Sequence, residues 1–355
     1  MKPGKSIVEL AQELARRASA KKDLVADTRA MRIEVVGEDK PAVALHIEGV
    51  GYAAPLPLAH QQIGQHAGIP SRYYDRMLAE APGLLADNLN HWFQREPARR
   101  MVRTLDNRAR AFLSDRYRRI DNEQIAEAVL PELLDAAQPV EIVSSEITDL
   151  RLYIQALFPR IEGEVQKGDV VQAGIVISNS EVGLGAFQVR PLVYRLVCTN
   201  GMIAETGGIR RNHVGRRVES NGEDASIFQD DTLAADDRAL ALKMRDAVRD
   251  SMNAASFGNL LARMREATEG PRIEKPVKAV EVLQKAVPIT QGEGESILER
   301  LIRDGDYSRW GMLNAITHLA NDDAVGYDRA VELQQIGGRL LTLNTSEWHR
   351  IAVAA

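Results

Sequence analysis

The chain has 355 residues, of which 45% are hydrophobic and 27% charged, and its formal net charge is −5. These values are ordinary for a folded protein and exclude wholesale disorder. No run approaches the roughly 18 unbroken apolar residues of a membrane helix, and the first twenty residues lack a secretory pattern. The single cysteine excludes an intrachain disulfide and a cysteine-rich zinc site. We therefore expect a cytoplasmic protein of two or three domains.

The N-terminal region, residues 1–95, is predicted to be mostly helical, because its apolar residues recur at helical spacing. Two short strands are expected on either side of a turn that contains Gly37 and Pro41. The predicted elements of this region are helices over 6–18, 58–80 (interrupted at 68–70) and 82–93, and strands over 31–36 and 43–47.

One segment of this region, residues 61–77, resembles a helix-turn-helix. A short apolar-striped helix meets Gly68, where glycine permits a left-handed backbone, and the second helix carries Arg72, Tyr73 and Arg76. In a DNA-binding protein, such a second helix enters the major groove. The alternative is two helices that pack together for structural reasons alone.

The middle region, residues 96–222, is predicted to be an α+β core with arginine-rich strands and glycine-rich turns. A tight turn at 106–107 joins its first two strands. A helix follows with Asp121 as N-cap and Gln124 as capping-box partner, and Pro131 predicts a kink or an early end. The predicted strands are 100–105, 108–113, 141–148, 150–158, 170–178 and 186–198.

The C-terminal region, residues 223–355, is predicted to be helical. The preceding boundary falls in the segment 219–237, which carries seven acids and no base. Helices are expected from residue 230 onward and over 277–287, 294–303, 308–320 and 328–343. The whole pattern predicts an α+β fold, in which a central antiparallel sheet with packed helices joins a helical N-terminal subdomain to this helical C-terminal region.

Positive charge is concentrated despite the acidic total. Between residues 95 and 119, nine arginines stand against three acids. Arginine contacts phosphates, and an exposed aromatic side chain can stack on an unpaired base. The sequence therefore predicts a DNA-binding surface with Phe112 and Tyr117 as stacking candidates, although a polar sheet face with Tyr117 in the core is the alternative. The predicted arginine contacts are Arg99, Arg100, Arg103, Arg108, Arg110, Arg116, Arg118 and Arg119, with Arg210, Arg211, Arg216 and Arg217 as a second region.

An enzymatic site is not predicted. Cys198 with His213 is a conceivable nucleophile and base, but Cys198 lies in an apolar run typical of a buried residue. Four carboxylates could in principle hold Mg²⁺, yet they lack a spaced metal motif. These are Glu162, Glu164, Asp169 and Glu181. No phosphate-binding loop or hydrolase motif is found, so we expect no catalytic residues, no metal and no cofactor.

Four motifs taken together resemble the phage/plasmid-like family of unknown function, whose members are scattered over phages, plasmids and integrative elements. The resemblance covers roughly residues 55–345. The motifs are residues 112–120, the turn at 179–183, the segment 198–202 with 211–213, and residues 310–317.

This resemblance implies a role in the DNA metabolism of mobile elements. The strand–turn–strand–helix order at 100–135 is also similar, in topology alone, to the core of single-strand annealing recombinases. Together they imply a non-enzymatic single-stranded-DNA binding and annealing protein that forms rings or filaments and works with a phage or plasmid exonuclease. Two alternatives stay open: a duplex-reading regulator that uses residues 61–77, and an inhibitor whose acidic segment 219–237 mimics DNA.

Overall fold

The computed structural model describes residues 1–37, 41–117, 119–185, 187–205, 209–211, 230–251 and 253–353, with only the backbone given over 209–211 and most of 230–237. Within these residues the fold is mixed α+β, with twelve helices and mainly antiparallel sheets. The predicted fold class is confirmed. Its strands, however, form two six-stranded sheets, where the sequence suggested one central sheet.

Sheet one joins strands on both sides of the boundary predicted at residue 95. Its order is β1-β5-β6-β4-β3-β2, and all its neighbours are antiparallel except β4 and β6. One face is covered by α2 to α4 around a core that includes Met31, Leu45, Ile63 and Phe93. The elements are α1 (Ile7–Ala20), β1 (Lys22–Asp27), β2 (Met31–Val36), β3 (Ala42–Ile47), β4 (Gly51–Pro55), α2 (Pro57–His66), α3 (Ser71–Glu80), α4 (Pro82–Arg95), β5 (Arg99–Leu105) and β6 (Arg108–Ser114).

Sheet one curls until its two edge strands approach each other. Strands β1 and β2 stand at opposite ends of the sheet order, although only the 3₁₀ turn Thr28–Ala30 separates them in the chain. Helix α4 hydrogen-bonds to the edge strand β2 at Ile33. Asn90 Nδ2 donates to the Ile33 carbonyl (2.9 Å), and Asn90 Oδ1 accepts from the Ile33 N–H (2.8 Å). The Asn90 amide thus takes the place of a neighbouring strand.

Sheet two forms the second half of the structure, in the order β11-β10-β9-β8-β7 with β12 paired to β10. One of its faces packs on α5, α6 and α7 through side chains such as Val129, Phe158 and Met264. Helix α5 has the predicted capping box of Asp121 and Gln124, and it continues beyond Pro131. The elements are α5 (Asn122–Leu134), β7 (Glu141–Ile147), β8 (Leu152–Glu164), β9 (Val170–Asn179), β10 (Phe187–Arg195), β11 (Asn200–Ile203), β12 (Ile209–Arg211), α6 (Asp230–Ser251) and α7 (Ala254–Glu269).

The C-terminal helices confirm the predicted helical pattern and add one short helix at the end. They have a core of their own around Leu283, Ile297 and Ile316. Helix α11 also packs on the second face of sheet two, so closely that a Cβ at Gly338 would lie 1.9 Å from the Ile203 carbonyl oxygen. The helices are α8 (Pro276–Ala286), α9 (Gln291–Asp304), α10 (Arg309–Leu319), α11 (Tyr327–Thr342) and α12 (Thr345–Ala352).

Among the helices that the structure describes, none combines the length and the apolar character needed to cross a bilayer.

Candidate nucleic-acid interface

The arginine-rich segment forms the predicted β5–β6 hairpin. Its turn residues Asp106 and Asn107 both have positive φ, at 51° and 60°, as a two-residue hairpin turn requires. The pairing sets Arg100 opposite Ser114 and Arg103 opposite Ala111, and the register shifts between Arg103 and Thr104. The hairpin therefore separates its arginines between two faces and two ends.

Arg103 and Arg110 lie in the interior and not on a DNA-facing surface. Arg103 has no exposed surface and donates from Nε to Asp23 (2.8 Å) and from Nη2 to Asp121 (2.6 Å). Arg110 is 3% exposed and donates from Nη2 to Glu181 (2.7 Å). The DNA contacts predicted for these two arginines are wrong, because their charges are already neutralised by buried carboxylates.

These arginines belong to an inter-sheet ion network, made of Lys21, Asp23, Arg103, Arg110, Asp121 and Glu181. The turn after β9 enters it, since Glu181 accepts from the Asn122 backbone N–H (2.8 Å) and the Glu181 carbonyl accepts from Arg103 (2.8 Å). Burial alone would raise the pKa of Asp121, but the charges of Arg103 and Lys21 hold it below the ordinary value. Three bases and three acids balance, so the network joins the two sheets without excess charge.

Sequence reasoning missed the partners of this network. Lys21 directly precedes β1, and Asp23 lies within it. The six residues of this strand carry too few apolar side chains to signal burial. The acids also come from three distant parts of the chain. Only the tertiary fold brings them to Arg103.

The two stacking candidates are not free to receive bases. Phe112 is 3% exposed and packs parallel to Phe93, with ring centroids 5.9 Å apart. This corrects its predicted DNA contact. Tyr117 is half-buried, its hydroxyl donates to the Ser180 carbonyl (3.2 Å), and burial raises its pKa to about 12. The alternative prediction, Tyr117 partly within the fold, describes its position better.

Four arginines of the predicted surface are exposed, and they do not form one group. Arg99 and Arg116 lie at the open end of the hairpin, Arg108 lies at its turn, and Arg119 pairs with Asp23 (3.0 Å). Several other predicted residues fall outside the described parts: Arg118, His213, Arg216, Arg217 and residues 219–229 of the acidic segment. For Arg210 and Arg211 only the backbone of β12 is given.

Arg100 is a half-buried arginine whose hydrogen bonding is incomplete. Its Nη2 lies 2.7 Å from His66 Nδ1, and its guanidinium carbon lies 5.8 Å from the centre of the Phe112 ring. Its Nε is buried without a hydrogen-bond partner, and within the described residues no carboxylate pairs with it. We call Arg100 and His66, together with the exposed Arg116 beyond the end of β6, the Arg100 site.

Burial and charge set the protonation states of the Arg100 site. Burial, together with the charge of Arg100, lowers the pKa of His66 to about 4, so the imidazole is neutral at pH 7 and accepts from the guanidinium. Burial also lowers the pKa of Arg100, which remains a cation at this pH. A cation with an unsatisfied N–H and no acidic partner is suited to bind an anion.

The predicted pair of helices at 61–77 is confirmed. Helices α2 and α3 meet at Gly68, whose φ is +66°. Arg72, Tyr73 and Arg76 are exposed on α3, and Arg76 pairs with Glu80 (2.9 Å). The opposite face of α3 packs into the core, so the polar face is free to meet a ligand.

Cys198 and Asp169, two of the residues considered for catalysis or metal binding, have other partners in the structure. Cys198 is half-buried, with its sulfur 3.3 Å from Arg195 Nη1. Asp169 pairs with Arg195 and accepts from the indole N–H of Trp310 (2.9 Å). In the part of the chain that the structure describes, no group of three or more histidines, cysteines or acids is placed to hold a metal ion.

A family model matches the middle and much of the C-terminal part of the chain. The domain of unknown function DUF932 matches residues 110–335, a segment that runs from β6 to α11 and includes Glu181 and the turn after β9. No curated protein and no solved structure matches the chain. Because the match spans well over half of the sequence, the chain belongs to the family defined by the domain of unknown function DUF932.

Proposed function

We propose that this chain is a non-enzymatic protein that binds single-stranded DNA through phosphate contacts at the Arg100 site. The supporting observation is the Arg100 guanidinium, which has a buried N–H without an acceptor and no carboxylate partner in the described residues. Arg100 is half-buried, and no contacting carboxylate in the described part of the chain neutralises its charge, so a phosphate that reaches the guanidinium would form a charge-assisted hydrogen bond with it.

The surroundings of Arg100 favour a polymer of phosphates over a single small anion. Arg116 adds an exposed cation at the same end of the hairpin, while Asp115 acts on Arg100 through its charge and forms no ion pair with it. Phosphate contacts fix position without reading bases, so binding is expected to show little sequence preference. Phe112 and Tyr117 contribute no stacking in this proposal.

The biological setting is part of the same proposal. The resemblance to mobile-element proteins and to annealing recombinases favours a role in recombination or replication, with self-assembly and an exonuclease partner. Size-exclusion chromatography with light scattering, with and without a 40-mer oligonucleotide, tests the assembly. A mass that stays that of one chain under both conditions would contradict it.

A second candidate function is duplex recognition by α3. It is favoured by the exposed Arg72, Tyr73 and Arg76 on a helix that follows a left-handed glycine turn. Against it stand Asp75 and Glu80, which leave the helix without net charge. This candidate predicts a preference for one duplex sequence over random DNA.

One series of fluorescence anisotropy titrations separates the two functions. The double variant Arg100→Gln with Arg116→Gln should weaken binding to a single-stranded 40-mer at least tenfold at low salt. It should also reduce the slope of log K against log salt by about 1.4, since each neutralised phosphate of a single strand contributes roughly 0.7. Arg263→Gln is the matched control, because Arg263 is exposed on α7 and the described residues give it no ion pair.

The outcomes are distinct. Absent or salt-insensitive binding, or a double variant that behaves like Arg263→Gln, would overturn the proposal. A duplex preference that disappears in Arg72→Gln would establish the second function in its place.

A further inference from the structure

Over β2 to β4, the face of sheet one away from α2 to α4 is open and carries a row of polar and aromatic side chains, of which the sequence singled out Arg108 alone. Arg32 on β2 is in register with His46 on β3, and His46 is in register with Tyr52 on β4. Two residues beyond Tyr52, Ala54 pairs with Arg108 on β6. These residues alternate with core residues such as Ile33, Leu45 and Ala53, so they lie on the face away from α2 to α4.

The centre of this row is an exposed aromatic pair. Tyr52 is 56% exposed, and its ring lies 4.7 Å from that of His46 at an angle of 45°. Its hydroxyl donates to Glu34 Oε2 (2.8 Å), which fixes the ring against the sheet. The small, exposed Ala54 lies two residues beyond Tyr52 on the same face of β4.

The row is flanked by cations that the fold leaves uncompensated. Arg32 and Arg108 are both exposed, and within the described residues neither has a hydrogen bond or an ion pair. Three strand-to-strand steps of about 4.8 Å separate their strands, which gives a span of roughly 14 Å. Glu34 is the acid within this row and accepts from the Tyr52 hydroxyl, while Asp23 and Asp27 on the same face belong to the opposite edge strand β1.

We propose that Tyr52 and His46, between Arg32 and Arg108, form a stacking platform for the bases of single-stranded nucleic acid. An aromatic ring on an open sheet face takes a base, and flanking arginines take the adjoining phosphates. A protein partner would instead call for an apolar interface core with few charges. This inference rests on the proposed function and adds base contacts, which the Arg100 site does not supply.

The platform and the Arg100 site are separate contacts. Arg100 shares its face of β5 with Val102, on the side of sheet one that α2 to α4 cover, whereas Tyr52 is on the open side. A variant at one site therefore leaves the other intact. The two proposals can be tested independently with the full chain.

The experiment compares binding to a 24-mer of thymidine with binding to an abasic 24-mer of the same length. Stacking is worth about 1–3 kcal/mol per base, so wild-type protein should prefer the thymidine strand by at least fivefold. Tyr52→Ala should remove this preference and retain abasic binding, while Tyr52→Phe should keep it. Val277→Ala is the control, since Val277 is 53% exposed on α8 and belongs to neither proposed contact.

An unchanged thymidine-to-abasic ratio in Tyr52→Ala would overturn the platform and leave the proposed function standing. Suppose that Tyr52→Ala loses the thymidine preference, while the Arg100→Gln, Arg116→Gln variant binds as tightly as the wild-type protein. That result would support the platform and overturn the Arg100 site. Failure of wild-type protein to bind either oligonucleotide would overturn both.

Discussion

Glu181 is a buried carboxylate whose two oxygens are both engaged. Oε2 accepts from Arg110 and Oε1 from the Asn122 N–H, and the side chain is 6% exposed. The interior tolerates such a charge only while its partners remain. Glu181 therefore positions the turn after β9 against sheet one. Loss of its ion pair with Arg110 is expected to lower the stability of the fold.

We expect Glu181→Ala to lower the free energy of unfolding by about 3–5 kcal/mol, because it leaves the charge of Arg110 buried and unpaired. Urea denaturation followed by circular dichroism measures this. Glu299→Ala is the control, since Glu299 forms an exposed ion pair with Arg303 and should change stability by less than about 1 kcal/mol. A loss at Glu181 no larger than at Glu299 would contradict a stabilising network.

His66 gives stability a pH dependence of defined sign. Its pKa is about 4 in the folded protein and near 6.5 when unfolded. The contribution of neutral His66 is therefore complete above pH 6.5 and is lost as the pH falls toward 4. We expect wild-type protein to lose on the order of 1–2 kcal/mol more than His66→Gln between pH 7 and pH 4.5 in urea titrations. Parallel losses in the two proteins would disprove the assignment.

At the scale of elements, the long periodic segments could be predicted, and the short strands β1 and β4 could not. The β5–β6 hairpin and helix α5 have turn and capping residues that signal them directly. Strands β1 and β4 are six and five residues long, and they are held in place by the strands beside them. Because β1 was missed, Asp23 was missed, and the buried state of Arg103 could not be foreseen.

The contact of α11 with sheet two leads to a prediction about one helix position. Gly338→Ala places a methyl group 1.9 Å from the Ile203 carbonyl oxygen, so α11 must move, at a cost of about 1–3 kcal/mol. Gly258→Ala is the matched control, because Gly258 is exposed within α7 and a Cβ there meets nothing within 4 Å. That control should leave stability unchanged or raise it by up to about 1 kcal/mol. Thermal denaturation of both variants measures the difference in stability. Equal melting temperatures for Gly338→Ala and Gly258→Ala would contradict a close contact between α11 and sheet two.

At the scale of the whole molecule, the two sheets are connected by charge as well as by apolar packing. Val182 packs with Leu58 and Ala111 beside the ion network, so the turn after β9 reaches sheet one through both kinds of contact. The sequence indicates which regions are helical and which form strands. It does not indicate that the strands divide into two sheets. That division depends on pairings between residues far apart in the chain, such as the parallel contact of β4 with β6.

The amide of Asn90 has a consequence for how copies of this protein could meet. It bonds both the N–H and the C=O of Ile33, so a strand of another molecule finds no free backbone donor or acceptor at this position. Edge-to-edge pairing of β2 with a strand of another molecule, which can lead to insoluble fibrils, is thereby blocked at Ile33. A ring or filament that used this part of the β2 edge would accordingly have to be held together by side chains.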